Sequence, residues 1–222
     1  VFINLIPAIL NGQNIYIWSI VTCVYITVMT LVLIEGLNVK CFAAGVGCVG
    51  GVLVAGALEL LLRDQIKMSG VLDSEWLYLY NLRKDNPIDL KAIIFAMIIV
   101  GAVGAVMDVA MSIASSLCEI NEKSPDLPAR ELLKSGLTIG RDIMGTMANT
   151  LVLAYIGSAL CCVLLMVTYS SNVSQILNRE QIAVEILQAL AGSIGILAAL
   201  PLTAITSVLC LKPLNRIKRS VH

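Results

Sequence analysis

The stretch Ala92-Ile-Ile-Phe-Ala-Met-Ile-Ile-Val-Gly-Ala-Val-Gly-Ala-Val-Met-Asp108-Val-Ala-Met-Ser-Ile-Ala-Ser-Ser116 is an apolar run with one charged side chain, Asp108. About 20 apolar residues are enough to cross the hydrocarbon core of a bilayer as a single α-helix. The run therefore predicts a membrane-spanning helix. A carboxylate inside such a helix is costly, and such residues are candidates for a functional role.

The composition of the whole chain agrees with a membrane protein. Its mean hydropathy is +0.90 and 14% of its residues are charged, whereas soluble domains carry roughly 25% charged residues. We therefore predict an integral membrane protein whose main partner is the lipid bilayer. The formal net charge is zero, with 15 basic and 15 acidic residues, so no charge excess points to nucleic acid.

Apolar stretches along the chain predict an all-α, polytopic transmembrane helix bundle, which forms a single transmembrane domain over residues 1–222. Five complete spans are expected, at roughly Asn14–Ile34, Cys41–Leu62, Ala92–Leu117, Arg141–Thr168 and Ile182–Leu211. Val1–Leu10 is apolar but too short to span a bilayer. It resembles the end of a sixth helix whose beginning lies in upstream membrane sequence, rather than a signal peptide.

The connectors and their basic residues predict the orientation. We expect an extracytoplasmic loop at 63–91 and a cytoplasmic loop at 118–140, with a short interfacial helix at Pro125–Lys134. Basic residues favour the cytoplasmic side. One side carries nine of them, and the other carries six: Lys40, Lys123, Arg130, Lys134, Arg141, Lys212, Arg216, Lys218 and Arg219 against Arg63, Lys67, Arg83, Lys84, Lys91 and Arg179. The chain is therefore expected in the cell membrane with its C-terminus in the cytoplasm.

Three of the predicted helices carry a face of small or polar residues, because these residues recur at helical spacing. The faces are Gly101, Gly104, Asp108, Ser112 and Ser115; then Asp142, Gly145, Thr146, Asn149, Thr150 and Gly157; then Gln188, Gly192, Gly195, Ala199, Thr203 and Thr206. Small residues let helix backbones approach closely in lipid. The pattern predicts that the three helices meet along packing seams, and Pro201 is expected to kink the last helix at a packing or gating position.

Two roles are open for Asp108. It is either a relay for protons or another ion, protonated for part of a working cycle, or a structural acid satisfied by hydrogen bonds. Thr146, Asn149 and Thr150 are candidate donors to its carboxyl group. Arg141 and Asp142 stand at the cytoplasmic mouth of the neighbouring helix, where they are expected either to form interfacial ion pairs or to belong to the same site.

The other ionisable and nucleophilic side chains predict neither a catalytic site nor a metal site. Glu59 and Glu185 lie near helix ends, so we expect both to reach water. The seven cysteines form no CxxC pair, and the only histidine is His222, so neither a metal site nor a cofactor is expected. No nucleophile is paired with a base, and no phosphate-binding glycine loop occurs. An enzyme is therefore not expected.

The segments Gly101–Leu117, Gly140–Gly157 and Gly192–Thr203 resemble the bacterial YibE/F family of multi-pass membrane proteins. That resemblance covers essentially the whole chain, and it implies further membrane sequence upstream. A weaker, fold-level resemblance is to SecD/SecF and the wider RND superfamily, in which an acid within the fourth helix precedes a short cytoplasmic connector. It implies that Asp108 is a proton-relay acid with Arg141, Asn149 and Thr150 as neighbours.

Two functions follow as hypotheses. The first is the membrane part of a proton-coupled export or transport system, with Asp108 as the coupling group. The second is a non-catalytic membrane scaffold or partner subunit. Either would fit a second YibE/F-like subunit or a homo-oligomer as partner. The two hypotheses differ in whether Asp108 faces a hydrated space or a dry helix seam.

Overall fold

The chain folds as a bundle of α-helices. The computed structural model describes residues 4–66, 70, 72, 76, 80, 88–169 and 179–220. No described residue lies in a strand, and six helices have described bounds: α1 (Leu5–Leu10), α2 (Ile15–Glu35), α3 (Val39–Ile66), α4 (Leu90–Lys123), α5 (Ala129–Tyr169) and α6 (Glu180–Ser220). Helices α2 to α6 are each long and apolar enough to cross a membrane. The predicted all-α, polytopic bundle is confirmed.

Local signals fix several of the helix ends. The Asn14 side-chain oxygen accepts hydrogen bonds from the N–H groups of Tyr16 and Ile17 at the start of α2. Asp89 does the same at α4, where its Oδ1 lies 3.0 Å from the Lys91 nitrogen. Such caps satisfy N–H groups that have no partner inside the helix. Gly36, with a φ of +73°, ends α2 and turns the chain towards α3.

The connector predicted at 118–140 is much shorter in the structure. Helix α4 continues to Lys123 and α5 begins at Ala129, so only residues 124–128 lie between them. The segment predicted as a separate interfacial helix, Pro125–Lys134, divides into this turn and the first turns of α5. The prediction was wrong because it took this polar stretch, which includes Gly136 and Gly140, for a loop.

Those glycines serve close helix packing instead. A Cβ atom at Gly136 would lie 2.8 Å from Leu117 Cδ1, and one at Gly140 would lie 2.6 Å from Leu200 Cγ. Leu132, in the first turn of α5, is fully buried. Helix α5 has 41 residues, which is about 60 Å at 1.5 Å per residue. Because that is about twice the hydrocarbon thickness, part of this helix extends beyond the bilayer core.

The loop predicted at 63–91 begins and ends in helices. Helix α3 extends to Ile66 and α4 starts at Leu90, so both ends of the predicted loop are helical. Most of the residues between them lie outside the described ranges. The C-terminal helix α6 also continues past the predicted end at Leu211, to Ser220.

The core lies between α3, α4 and α6, with α2 and α5 packed against its sides. Helix α4 is the most enclosed: 56% of its most apolar segment is buried, against 11% for α5. Fully buried side chains of α4 include Val106, Val109 and Ile113. Helix α5 therefore leaves most of its surface uncovered by the described residues.

Candidate functional site

Asp108 lies about halfway along α4, on the side that faces away from the core. Its side chain is exposed, and among the described residues no hydrogen bond or ion pair reaches its carboxylate. The Ser112 hydroxyl donates to the backbone carbonyl of Asp108 at 2.8 Å, not to its side chain. Asp108 therefore does not occupy a dry seam between helices of this chain.

Gly104 lies one turn before Asp108 on the same side of α4. Apart from the adjacent backbone of α4 itself, no atom of the described residues comes within 4 Å of the position that a Cβ atom would take at Gly104. The prediction that Gly104 packs against a neighbouring helix of this chain therefore needs correction. Together, Gly104 and Asp108 form an open strip on α4, which we call the Asp108 face.

The polar residues of α5 do not turn towards Asp108. Arg141, Asp142, Asn149 and Thr150 are all exposed. The hydroxyl of Thr146 donates to the Ile143 carbonyl at 2.8 Å, and that of Thr150 to the Thr146 carbonyl at 2.9 Å. The expected hydrogen bonds from these residues to Asp108 are thus absent from the described part of the chain.

The polar residues of α5 do not reach Asp108 because the other side of this helix packs on the bundle. Gly140 and Leu151 on that side are buried, and Met144 packs against the same core. The polar residues occupy the opposite side of the helix. The third face, that of α6, points inward as predicted, whereas in the first face Gly101 contacts other helices but Gly104 and Asp108 do not. The three small or polar faces therefore do not meet along their length.

The small residues of α6 lie at close helix contacts. A Cβ atom at Gly195 would lie 3.1 Å from the Gly51 carbonyl oxygen on α3, and one at Gly192 would lie 2.6 Å from Leu151 Cδ2 on α5. Thr203 is buried against Gly47, and its hydroxyl donates to the Ala199 carbonyl at 2.8 Å. Helix α3, which showed no polar stripe in the sequence, is therefore a main partner of α6.

Gly101 and Pro201 were also predicted to be packing or gating residues. A Cβ atom at Gly101 on α4 would lie 2.8 Å from the Tyr155 hydroxyl oxygen and 3.0 Å from Gln188 Nε2. Gly101 is thus a three-helix contact between α4, α5 and α6. Pro201 lies half-buried inside α6, which stays helical through it. A gating role for Pro201 stays a prediction.

The sequence analysis missed a polar cluster that joins α2, α3 and α4. The Tyr16 hydroxyl accepts a hydrogen bond from Arg63 at 2.6 Å and donates one to Asp89 at 3.4 Å. Arg63 also lies over the Tyr16 ring, 5.5 Å from its centroid, at a distance suited to a cation–π interaction. Glu59 is fully buried in α3 and close enough to Tyr16 to act on it electrostatically.

The expectation that Glu59 reaches water was therefore wrong. The signal that could have located it is its spacing, because Glu59 and Arg63 are four residues apart and share one side of α3. Within the ranges that the structure describes, no three His, Cys, Asp or Glu side chains are grouped closely enough to hold a metal ion.

Comparison with known proteins gives a family match. A family model described as YibE/F-like protein matches residues 1–213, which is nearly the whole chain. No curated protein and no solved structure matches the chain. The weaker resemblance to SecD/SecF and the RND superfamily therefore stays a prediction.

Proposed function

Because the chain belongs to the YibE/F-like protein family, we propose that it is the membrane part of a proton-coupled export or transport assembly, in which Asp108 takes up and releases the proton. The family and the apolar helices make it a multi-pass membrane protein. The observation that carries the proposal is the carboxylate of Asp108, which lies halfway along a span with no partner among the described residues.

The physical argument concerns the two charge states of this carboxyl group. An ionised carboxylate exposed to hydrocarbon is unfavourable, so it must meet water or another protein, or else become protonated. Nothing in the described residues fixes one of these states, since no cation neutralises the group. A carboxyl group that changes state when its surroundings change from wet to dry is suited to proton coupling.

The assembly part of the proposal rests on surface that this chain leaves uncovered. The Asp108 face on α4 and the polar side of α5, with Arg141, Asp142 and Asn149, are both exposed within the membrane-spanning helices. Polar side chains in lipid normally face other helices or a water-filled space. We propose that a second YibE/F-like subunit or a second copy of this chain covers them.

The same uncovered surface favours the second candidate function, a non-catalytic scaffold or partner subunit. Both functions need a partner, but only the first needs a proton at Asp108. Complementation of a strain that lacks the chain separates them. Under the transport proposal, Asp108→Asn accumulates normally and fails to complement, and Asp108→Glu retains part of the function. Full complementation by Asp108→Asn, with Asp108→Leu failing only through loss of protein, would favour the scaffold.

Orientation in the cell membrane is a further part of the proposal, with the C-terminus in the cytoplasm. The nine-to-six distribution of basic residues supports it. Cys118 lies near the end of α4 on the side assigned to the cytoplasm, but only 7% of its surface is exposed, which makes it a poor target for thiol reagents. Exposed Ser124, in the turn between α4 and α5, and exposed Arg179, before α6, are better positions.

We expect a single cysteine at Ser124→Cys to resist a membrane-impermeant thiol reagent in intact cells and to react after the cells are opened. Arg179→Cys, on the other side, should react in intact cells. Both variants are made in a chain from which the natural cysteines have been removed. The reverse pattern of labelling would place the C-terminus outside and contradict the orientation.

A further inference from the structure

A cavity of about 370 Å³ lies between α5 and α6. Its walls are formed mainly by aliphatic side chains, among them Val152 and Ile156 from α5 and Ile186 and Leu190 from α6. Two larger polar side chains, Tyr155 and Glu185, also line it. Ligand sites in proteins are commonly apolar spaces of this size with a few well-placed polar groups.

Glu185 is the unusual member of this lining. Its Oε2 atom is buried, and within the described residues it accepts no hydrogen bond. The expectation from the sequence, that Glu185 reaches water freely, is corrected for this oxygen. The described side chains that line the cavity include no Lys, Arg or His. The lining thus contains a carboxylate that receives neither a hydrogen bond nor a counter-charge from the described residues.

Two other polar side chains belong to the lining. The Ser193 hydroxyl donates to the Ala189 carbonyl at 2.8 Å. The Tyr155 hydroxyl is buried beside Gly101 on α4 and the Gln188 amide, so that the Tyr155 ring forms part of the wall. Glu185 is therefore the acidic side chain that a cationic ligand in this cavity would meet.

We infer that this cavity binds an amphipathic organic amine, with its ammonium group on Glu185 and its apolar body between α5 and α6. An ammonium N–H supplies both the donor and the positive charge that the Glu185 carboxylate lacks, and charge-assisted hydrogen bonds of this kind are stronger than neutral ones. The aliphatic walls bury the rest of the molecule. An anion of the same shape is rejected by charge, and a neutral alcohol gains only the apolar contacts.

The cavity adjoins the helix that carries the Asp108 face. Ligand binding in the cavity nevertheless does not depend on proton transfer at Asp108. Gly101, which contacts Tyr155, and Asp108 share one side of α4 and are seven residues apart, or about 10 Å along the helix. Two natural sources share the required chemistry: a soluble amphipathic amine and the ammonium headgroup of an aminophospholipid.

The test uses the full chain in detergent with dansylcadaverine, a fluorescent amphipathic amine, and measures binding by fluorescence anisotropy. We expect Glu185→Gln to weaken binding by at least about tenfold, since it keeps the shape but removes the charge. Glu119→Gln is the matched control, because Glu119 is exposed and paired with Lys123 far from the cavity lining. Ala189→Phe, which fills the cavity without touching the charge, should also abolish binding.

Competition identifies the ligand class. Octylamine should displace the probe, and 1-octanol at the same concentration should not. Displacement by short-chain phosphatidylethanolamine, but not by phosphatidylcholine, would assign the site to a lipid headgroup. Displacement by octylamine alone would assign it to a soluble amine. Equal binding by Glu185→Gln and Glu119→Gln, or equal displacement by octanol and octylamine, would overturn the inference.

Discussion

Replacement of Gly195 by Leu is expected to destabilise the bundle by roughly 3 kcal/mol or more, since overpacking of a close contact typically costs 1–3 kcal/mol and here the contact is backbone to backbone. For a chain of this length, that corresponds to a melting temperature lower by about 6–12 °C. The same replacement at Gly104 should leave the melting temperature nearly unchanged.

The difference follows from what surrounds each glycine. A Cβ atom at Gly195 would lie 3.1 Å from the Gly51 carbonyl oxygen and 3.2 Å from Ala55 Cβ, both on α3. A leucine adds three carbon atoms beyond that Cβ, so α3 and α6 must separate. At Gly104 no described atom lies within 4 Å, and the side chain can extend freely.

The pair is matched because both substitutions put the same residue inside a helix and gain the same helix propensity. Thermal unfolding of the purified chain in detergent measures both. An equal loss of stability at the two positions would show that Gly104 is also enclosed, and the described packing of α4 would then be wrong. No loss at Gly195 would contradict the α3–α6 contact.

The second large effect is expected at Asp108. Asp108→Asn should reduce activity that depends on a proton gradient by roughly 100-fold or more, the order of magnitude lost when a proton-transferring group is removed. The melting temperature should hardly change, because the carboxylate makes no hydrogen bond or ion pair with the described residues. Loss of function with retained stability is the combination that the proposal predicts.

Asp89→Asn provides the matched control. Asp89 lies on the same helix and caps its first turn, a position in which Asn serves as well as Asp. We therefore expect that variant to fold and to keep its dependence on the proton gradient. If both variants lost activity equally, removal of any carboxylate from α4 would explain the result, and Asp108 would have no special role.

Most of the fold could be predicted from the sequence because membrane spans depend on length and hydropathy. The predicted first span, Asn14–Ile34, differs by one residue at each end from α2, since the cap at Asn14 is a local signal. The failure at 118–140 has an equally local origin. Gly136 and Gly140 lie in a polar stretch that is typical of a loop, and only their contacts with Leu117 and Leu200 show why they stay helical.

The candidate site was harder to predict, because helical spacing tells which residues share a side but not where that side points. In lipid, an apolar side gains nothing by facing inward, so hydrophobicity does not orient a helix as it does in water. The polar side of α5, with Asp142 and Asn149, was expected to face Asp108 but is exposed.

The predictions for Glu59 and Glu185 were wrong in the opposite direction, because these residues were expected to reach water. Glu59 and Glu185 lie near helix ends in the sequence, which suggested contact with water. In the structure Glu59 is fully buried and one carboxylate oxygen of Glu185 is enclosed, because other helices pack over those ends. The four-residue spacing of Glu59 and Arg63 was a signal for Glu59, whereas the neighbours of Glu185 leave no trace in the spacing of its own helix.

The central claim is that Asp108 takes up and releases a proton within the membrane. The most direct measurement is the modification of Asp108 by a hydrophobic carbodiimide in native membranes, with mass spectrometry of the peptide that contains it and an assay of proton-gradient-dependent activity on the same membranes. The reagent reacts with the protonated carboxyl group. We predict that this activity falls in proportion to the fraction of Asp108 that is modified, and that Asp108→Asn is not modified at this position. Full modification of Asp108 with unchanged activity, or no modification of Asp108, would contradict the claim.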